Sequence, residues 1–238
     1  MNRIFVLLFA VSLLMTSGLF AQTGAPAPAA AADAAVAPAA PAVAPAAPAA
    51  PAAPAAMSTT GKTLENMQTA FNGESNAQER YTAFSKKADE EGFLAVGSLF
   101  RAAAKSESIH AANLKAEIEK QGGKAEAKIE TPDVKSTKEN LEAAMNGETS
   151  EKDKMYPEFK AIAETENQEK AIMLFGGTAK VEAEHAALYA EALKNLDASK
   201  TAKKDYFVCT ICGFTTATAP ADKCPVCSAP KDKFETLN

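Results

Sequence analysis

Two copies of one short motif carry the first chemical signal in the sequence. Glu107-x-x-His110 and Glu182-x-x-His185 each place a carboxylate and an imidazole three residues apart, and together they use both histidines of the chain. A step of three puts both side chains on one helix face, so both pairs can reach the same metal cluster. Oxygen-rich sites with a few imidazoles suit iron or manganese. The motifs therefore predict a metal site that the two pairs share.

Three further glutamates fall in the middle of apolar helical stripes: Glu74, Glu148 and Glu151. Burying an unpaired carboxylate costs several kcal/mol, so a core with five of them needs cations, unless the side chains lie on solvated faces. Five carboxylates carry −5 and two Fe²⁺ ions carry +4, which nearly cancel. One glutamate from each of two helices and Glu-x-x-His from two others is the pattern of di-iron carboxylate bundles, and Glu151 is an addition to it.

The four cysteines of the chain indicate a second metal site near its end. Cys209-x-x-Cys212 and Cys224-x-x-Cys227 are separated by eleven residues. Four thiolates at this spacing suit a tetrahedral iron or zinc site, and spacing alone does not distinguish the two metals. Two disulfides are the alternative in an exported protein. The segment has few apolar residues with which to fold unless a metal holds it.

Four stretches with helical periodicity must position the glutamates and histidines. They cover about residues 62–91, 93–121, 136–165 and 168–197. Ser136-x-x-Glu139 is a capping box that starts the third stretch. Pro157 lies inside that stretch and is expected to kink it, because proline lacks a backbone donor. The two helix pairs share the metal motif but show no repeat by identity.

The connection over residues 122–135 sets the predicted topology. Its 14 residues reach about 46 Å when extended, while a helix of ~28 residues is about 42 Å long. The connection can therefore run the length of a bundle and join two parallel helices. We expect an all-α, ferritin-like four-helix bundle with one long crossover, followed by a small C-terminal metal-knuckle domain.

The first 57 residues are expected to stand apart from this fold. Residues 1–21 have a charged start at Arg3 and a short apolar centre, and they predict a signal peptide that ends near Ala21. An uncleaved membrane anchor is the alternative. Residues 22–57 form a linker, since 25–56 contain 21 Ala and 8 Pro and favour extended polyproline structure. The chain is then periplasmic or otherwise exported, or cytoplasmic if translation starts at Met57.

Composition excludes several classes of protein. The net charge is −5, which argues against a nucleic-acid-binding surface, because such surfaces need clustered Lys and Arg. No apolar run beyond residue 21 approaches the ~20 residues of a membrane-spanning helix. Removing the first 56 residues leaves 238 − 56 = 182, enough for one ordinary domain and a small one.

From about residue 60 onwards the chain resembles the rubrerythrins. The bundle motifs of that family appear as Gly73-Glu74-Ser75-x5-Tyr81, Glu107-x-x-His110, Gly147-Glu148-x-x-Glu151-x3-Met155-Tyr156-Pro157 and Glu182-x-x-His185. Its rubredoxin-like tail appears as Tyr206-x-Val208-Cys209-x-x-Cys212-Gly213 and Cys224-Pro225-x-Cys227-x-Ala229-Pro230. The resemblance implies a ferritin-like di-iron domain over 58–198 and a rubredoxin-like domain over 203–238.

The resemblance also implies roles for the residues. Glu107 and Glu182 would bridge two irons. Glu74 with Glu151 would bind one iron and Glu148 with His185 the other. His110 would replace Glu151 when the site is reduced, which makes Glu151 and His110 the catalytic pair. Three tyrosines, Tyr81, Tyr156 and Tyr189, would hydrogen-bond the ligand carboxylates or simply fill the core. Cys209, Cys212, Cys224 and Cys227 would hold one iron, with zinc possible.

The implied reaction is the two-electron reduction of hydrogen peroxide to water in oxidative-stress defence. The iron held by the four cysteines would relay electrons from an unidentified donor protein, across subunits of a head-to-tail homodimer. A signal peptide departs from this cytoplasmic family, which leaves the donor open. A ferroxidase or iron-handling protein is the alternative, and a passive electron carrier is a third reading. The four-cysteine module favours the first over the second, because iron storage needs no electron relay.

Overall fold

The computed structural model describes residues 61–200 and 202–238. The predicted signal segment 1–21 and the linker 22–57, including Met57, lie outside these residues. The helices are α1 Lys62–Glu90, α2 Leu94–Lys120, α3 Thr137–Ser150, α4 Tyr156–Thr165 and α5 Glu169–Lys194. The strands are β1 Tyr206–Cys209, β2 Thr215–Thr216 and β3 Phe234–Leu237. No helix of the described part is long and apolar enough to cross a membrane.

The helices form two hairpins, α1 with α2 and α3–α4 with α5, joined by equivalent turns. Gly92 (φ 81°) ends the first turn and Asn167 (φ 54°) the second. In each turn the following amide reaches back to the helix: Phe93 N donates to the carbonyl of Ala88 at 2.8 Å, and Gln168 N donates to that of Ala163 at 2.9 Å. This left-handed ending satisfies carbonyls that the last helical turn leaves free.

A glutamate in each turn caps a helix of the other hairpin. Glu91 accepts the backbone N–H of Thr137 at 2.8 Å. Glu166 accepts those of Lys62 and Thr63, both at 2.9 Å. These bonds lower the pKa of Glu91 and of Glu166, as expected for carboxylates at helix N-termini. The two hairpins are therefore tied together at both ends of the bundle.

The long crossover runs along α1, as its length predicts. Polar side chains spaced four residues apart on α1 (Gln68, Asn72 and Asn76) bind its backbone. Asn72 accepts the N–H of Lys128 and Asn76 that of Glu130, both at 2.8 Å. The crossover thus has backbone partners along a helix although it contains neither helix nor strand.

One extra residue distinguishes the second hairpin from the first. Asn72-Gly73-Glu74-Ser75 recurs as Asn146-Gly147-Glu148-Thr149, so the expectation of no repeat by identity was wrong. From each repeat glutamate to the next Glu-x-x-His the separation is 107 − 74 = 33 in one half and 182 − 148 = 34 in the other. The residues Glu151–Met155 form a π-helical turn, which accommodates one added residue in a continuous helix.

This π-helical turn also corrects the expectation for Pro157. Proline was expected to kink the third stretch from inside. Instead it lies in the first turn of α4, directly after the π-helical turn, where a missing N–H is tolerated best. The irregularity in the helix therefore comes before the proline and includes Glu151.

Two apolar clusters lie on either side of the buried glutamates. One contains Tyr81, Phe84, Leu99, Phe100, Leu141 and Tyr189 together with Tyr206 and Val208 of the tail. The other contains Met67, Leu114, Ile118, Tyr156 and Phe175. Both clusters draw on α1, α2 and the second hairpin, so the middle of the bundle is sealed from water above and below the polar layer.

The tail is a small antiparallel sheet of order β2-β1-β3 that packs on the bundle of its own chain. Arg101 Nε donates to the carbonyl of Asn238 at 2.9 Å, and Lys105 pairs with Glu235 at 3.1 Å. The resemblance implied a tail that serves the other subunit of a dimer. In this structure the tail and the bundle meet within one chain.

Candidate metal centres

Four helices bring six metal-binding side chains together in the middle of the bundle. α1 supplies Glu74, α2 supplies Glu107 and His110, α3 supplies Glu148, and α5 supplies Glu182 and His185. Each of them is at most 2% exposed. Their ligand atoms form two groups, each within 4.8 Å: Glu74, Glu107, His110 and Glu182 in one, Glu107, Glu148, Glu182 and His185 in the other.

Glu107 and Glu182 belong to both groups because each turns one oxygen to each histidine. The Nδ1 of His110 lies 2.8 Å from Glu107 Oε2 and 3.0 Å from Glu182 Oε1. The Nδ1 of His185 lies 2.8 Å from Glu182 Oε2 and 3.2 Å from Glu107 Oε1. This arrangement suits carboxylates that bridge two metal ions, with one imidazole beside each ion.

Tyr81 and Tyr156 hold the two outer glutamates, each reaching across to the other hairpin. The hydroxyl of Tyr81 on α1 donates to Glu148 Oε1 at 2.5 Å, and that of Tyr156 on α4 donates to Glu74 Oε1. Such hydrogen bonds orient carboxylate ligands. Tyr189 borders the site through its ring, 5.7 Å from that of Tyr81, and makes no hydrogen bond to a carboxylate in the described part of the chain.

The charges within the site are unbalanced when no metal is bound. Burial, and then the neighbouring carboxylates, raise the pKa of Glu148 well above its usual value. Burial alone would also raise the pKa of Glu107, but His185 and His110 outweigh it and lower that pKa. The carboxylates in turn outweigh burial at His185 and raise its pKa to about 9. The metal-free site therefore holds protons in place of cations.

Several buried atoms of the site have no hydrogen-bond partner and face one another: Glu74 Oε2, Glu107 Oε1, both oxygens of Glu182, and His185 Nδ1. Buried polar atoms are rarely left unsatisfied in proteins. Carboxylate oxygens with two imidazole nitrogens are ligands that suit iron. The residues present therefore fit a pair of metal ions.

Glu151 stands beside the two groups and belongs to neither. It lies in the π-helical turn and is partly exposed, whereas the six ligand residues are buried. Burial and the charges of Glu182 and Glu107 raise its pKa to about 8. In this structure His110 thus occupies the place beside Glu74, and Glu151 stands back, as the predicted exchange would have it in the reduced site.

The four cysteines form the second candidate site. Cys209 Sγ lies 3.7 Å from Cys227 Sγ, and Cys212 Sγ lies 3.5 Å from Cys224 Sγ. These separations are far above the ~2.05 Å of a disulfide bond, and all four cysteines are free thiols. All four sulfurs lie within 4.8 Å of one another, which suits one tetrahedral metal ion rather than the disulfide alternative.

The two knuckles that carry these cysteines have the same backbone design. The N–H groups of Cys209 and Cys224 donate to the carbonyls five residues later, at 2.9 and 2.8 Å. The residue four positions after each cysteine has a positive φ: 82° at Gly213 and 62° at Ser228. The two loops therefore curl back in the same way and present their sulfurs to a common centre.

The first knuckle rests directly on the carboxylate site. His110 Nε2 donates to the carbonyl of Cys212 at 3.1 Å, and Ser106 Oγ donates to that of Gly213 at 2.7 Å. A Cβ at Gly213 would lie 2.5 Å from His110 Nε2, so only glycine fits here. One hydrogen bond thus joins a cysteine of the tail to a histidine of the helical site.

Both parts of the chain match known family models. The model described as Rubrerythrin matches residues 65–193, and the model described as Rubrerythrin, rubredoxin-like domain matches residues 202–235. The first match covers more than half of the chain. The chain belongs to the rubrerythrin family.

Named rubrerythrins share about a third of their residues with this chain. Nigerythrin of Nitratidesulfovibrio vulgaris is 36% identical over 178 residues, which cover 74% of this chain and 87% of the relative. Rubrerythrin-1 of Clostridium acetobutylicum is 34% identical over 185 residues, covering 74% of this chain and 95% of the relative. The match therefore includes both the bundle and the tail.

Solved structures give the same result. The fully reduced, all-ferrous state of nigerythrin superposes with a TM-score of 0.69 at 34% identity, covering 75% of this chain and 88% of that chain. Bacterioferritin from Desulfovibrio desulfuricans superposes with a TM-score of 0.54 at 19% identity, covering 58% of this chain and 81% of that chain, which shows the ferritin-like fold alone. A ferritin-like helical domain is followed by a rubredoxin-like domain, and the donor sets fit the iron cofactors of the rubrerythrin family.

Sequence reasoning about this rubrerythrin missed the polar residues that join its two sites. Ser106, Asn113 and Thr215 all bond across the junction of bundle and tail. Single serines, asparagines and threonines carry no motif, so no signal marked them. The π-helical turn did leave a signal, the unequal spacing of 33 and 34 residues between corresponding glutamates.

Proposed function

We propose that this rubrerythrin reduces hydrogen peroxide to water, with electrons that reach the helical site through the four-cysteine tail. The observation that carries the proposal is the contact of His110 Nε2 with the carbonyl of Cys212, 3.1 Å long, which links the two candidate metal sites by one hydrogen bond. A protein that only stores iron has no use for a one-electron centre placed against its metal pair.

The residues of the site divide the work between them. Two ferrous ions, when bound, supply both electrons for H2O2 + 2 e⁻ + 2 H⁺ → 2 H2O. Glu107 and Glu182 hold the two ions close together, because each presents an oxygen to both halves of the site. Tyr81 and Tyr156 fix the outer carboxylates. The flanking apolar clusters exclude bulk water.

Glu151 and His110 are proposed to exchange places as the charge of the site changes. His110 Nδ1 already lies among the carboxylates, and Glu151 waits at the edge with a pKa raised to about 8 by burial and by Glu182. At neutral pH Glu151 therefore holds a proton when it stands away from the metals. Moving in as a carboxylate releases that proton next to the substrate, which needs two.

The electron donor is proposed to be a separate protein that approaches the outer edge of the tail. Cys212 and Cys227 are partly exposed, whereas Cys209 and Cys224 are buried. A homodimer and export from the cytoplasm, on the strength of residues 1–21, remain proposals. Mass spectrometry of the native N-terminus tests the compartment, because cleavage near Ala21 and a start at Met57 give different masses.

The reaction is tested by comparing two oxidants on the same protein. The protein as purified should hold about three irons per chain, two in the bundle and one in the tail. Reduced anaerobically and mixed with peroxide in a stopped-flow instrument, it should be reoxidised much faster than with an equal concentration of oxygen.

Oxygen acting as fast as peroxide would instead support the ferroxidase alternative. A tail that holds zinc in the native protein would end the electron-relay part of the proposal. Protein whose tail is deliberately loaded with zinc is the matched control. Its bundle should still be oxidised by peroxide once, but it should not turn over with an external donor.

A further inference from the structure

A threonine of the tail touches the second histidine of the carboxylate site. Thr215 lies in β2 and is completely buried. Its Oγ1 is 3.2 Å from His185 Nε2 and 2.9 Å from the carbonyl oxygen of Gly213. That carbonyl also accepts the hydroxyl of Ser106 at 2.7 Å. Thr215 is therefore the link between His185 and the knuckle that carries Cys212.

The direction of each hydrogen bond in this chain is fixed by chemistry. The Gly213 carbonyl can only accept, so Thr215 must donate its single hydroxyl proton to it. Thr215 then has only lone pairs to offer His185, so Nε2 of His185 must carry the proton. In an imidazole that binds a metal the other nitrogen, Nδ1, is then the free one. Nδ1 is the atom that faces Glu107 and Glu182.

We propose that Thr215 is a positioning residue for the metal pair. It holds the His185 ring in place and keeps its proton on Nε2, so that Nδ1 is available to a metal ion. The inference rests on the proposed function, since it takes His185 to be a ligand of that pair. It adds a structural duty to the tail, which would complete the ligand environment of the bundle as well as carry electrons.

The alternative to this bond inside the protein is an orphaned donor. His185 is completely buried, so if Thr215 lost its hydroxyl, water could not replace it as acceptor. A buried donor without a partner carries the full desolvation penalty. Hydrogen-bond partners of metal-bound histidines typically change metal affinity about ten- to hundredfold when they are removed. We expect a loss of this size for one of the two metal ions.

The experiment compares four variants of the full-length protein with all four cysteines intact. Thr215→Val removes the hydroxyl at nearly constant shape, and Thr215→Ser keeps it. Thr216→Val makes the same chemical change at the neighbouring position, whose hydroxyl bonds only within the tail. Ser106→Ala loosens the seat of the tail but leaves Thr215 bonded to both its partners. Each variant is titrated anaerobically with Fe²⁺ against a chromophoric chelator.

Thr215→Val should weaken binding of one Fe²⁺ by about ten- to hundredfold, whereas the other three should stay within about threefold of wild type. A second readout is the ¹⁵N spectrum of zinc-loaded protein with labelled histidine, which contains only two imidazoles. The Nε2–H signal of His185 should shift and exchange faster with water in Thr215→Val, and should be retained in Thr215→Ser.

Each other outcome overturns the inference. Wild-type affinity and an unchanged His185 signal in Thr215→Val would show that the hydroxyl does not position the ring. An equal loss in Ser106→Ala would mean that the effect comes from seating the tail. If Thr215→Val does not fold, a Thr215→Ser protein without the Nε2–H signal overturns it. A wild-type chain that binds no pair of ions overturns the proposed function as well, which the other outcomes leave intact.

Discussion

Gly213→Ala is predicted to unseat the tail from the metal site while leaving both parts of the protein folded. Gly213 has a φ of 82°, which an alanine adopts only at a cost of about 1–2 kcal/mol. A Cβ at this position would lie 2.4 Å from Ser106 Oγ and 2.5 Å from His110 Nε2, where ordinary contacts begin at 3.4 Å. The knuckle must therefore retreat from α2 by about 1 Å, the difference between 3.4 and 2.4 Å.

That retreat is enough to break both hydrogen bonds of the seat. The bond from Ser106 to Gly213, now 2.7 Å, would lengthen to about 3.7 Å, and the bond from His110 to Cys212, now 3.1 Å, to about 4 Å. Each lost bond removes about 1 kcal/mol. With the backbone cost, the seat loses about 3–4 kcal/mol, which corresponds to a melting temperature lower by about 6–16 °C for a domain of this size.

The assay measures stability and electron relay on the same sample. Thermal melting is followed by circular dichroism for the helices and by thiolate-to-iron absorption for the tail. The relay is followed in a stopped-flow instrument as oxidation of the tail iron after peroxide is added to reduced protein. Gly213→Ala should lower the melting temperature as calculated and slow oxidation of the tail iron, with the bundle iron oxidised at its normal rate.

The matched control is Gly177→Ala on α5. An added Cβ there has no atom within 4 Å, and alanine is the better helix former by about 1 kcal/mol. This variant should be as stable as wild type or slightly more so, with an unchanged relay. If Gly213→Ala melts within about 2 °C of wild type and its tail iron is oxidised at the wild-type rate, the seat described here does not carry the electrons.

Three further predictions concern the carboxylate site. Glu151→Ala should slow peroxide turnover and leave the helical content and iron loading unchanged; unaltered kinetics would remove its assigned role. Tyr156→Phe should weaken metal binding beside Glu74 and cost about 1–3 kcal/mol of stability, measured by iron titration and urea unfolding, whereas Tyr206→Phe, whose hydroxyl bonds to nothing in the described residues, should resemble wild type. Metal-free protein should become less stable as pH rises from about 5 to 9, because the raised pKa values of Glu151 (about 8) and His185 (about 9) mean that the folded state binds more protons than the unfolded one. For His185, a rise from 6.5 to about 9 corresponds to about 3 kcal/mol. Urea midpoints across this range should fall for metal-free protein and stay flat for iron-loaded protein, and a metal-free midpoint that rises with pH would contradict the argument.

The ligand residues could be found from the sequence because their types are rare and their positions anomalous. The chain has only two histidines, and both follow a glutamate by three residues on an apolar stripe. A charged side chain in an apolar stripe conflicts with the stripe itself, and a metal resolves the conflict. The helices and the crossover followed from periodicity and length for the same reason: burial and chain reach leave few alternatives.

The junction of bundle and tail could not be predicted in this way. Contacts such as Ser106 with Gly213 depend on how two separately patterned segments meet, and neither segment contains a pattern that records the meeting. Because the resemblance supplied the geometry of a dimer, it placed the relay between subunits, whereas the structure places the tail on its own bundle. The π-helical turn shows a different limit: the unequal spacing was visible, but only the repeat Asn146-Gly147-Glu148 gives it meaning.

The sharing of Glu107 and Glu182 between two ligand groups makes the ions fasteners as well as reactants. Each hairpin supplies three donors of one group and lends a single carboxylate to the other group. Neither hairpin can close its own coordination sphere alone, so the ions bolt the halves of the molecule together. A cell starved of iron would then lose the assembled protein itself, not merely its redox capacity, and the protein level would report on the iron supply.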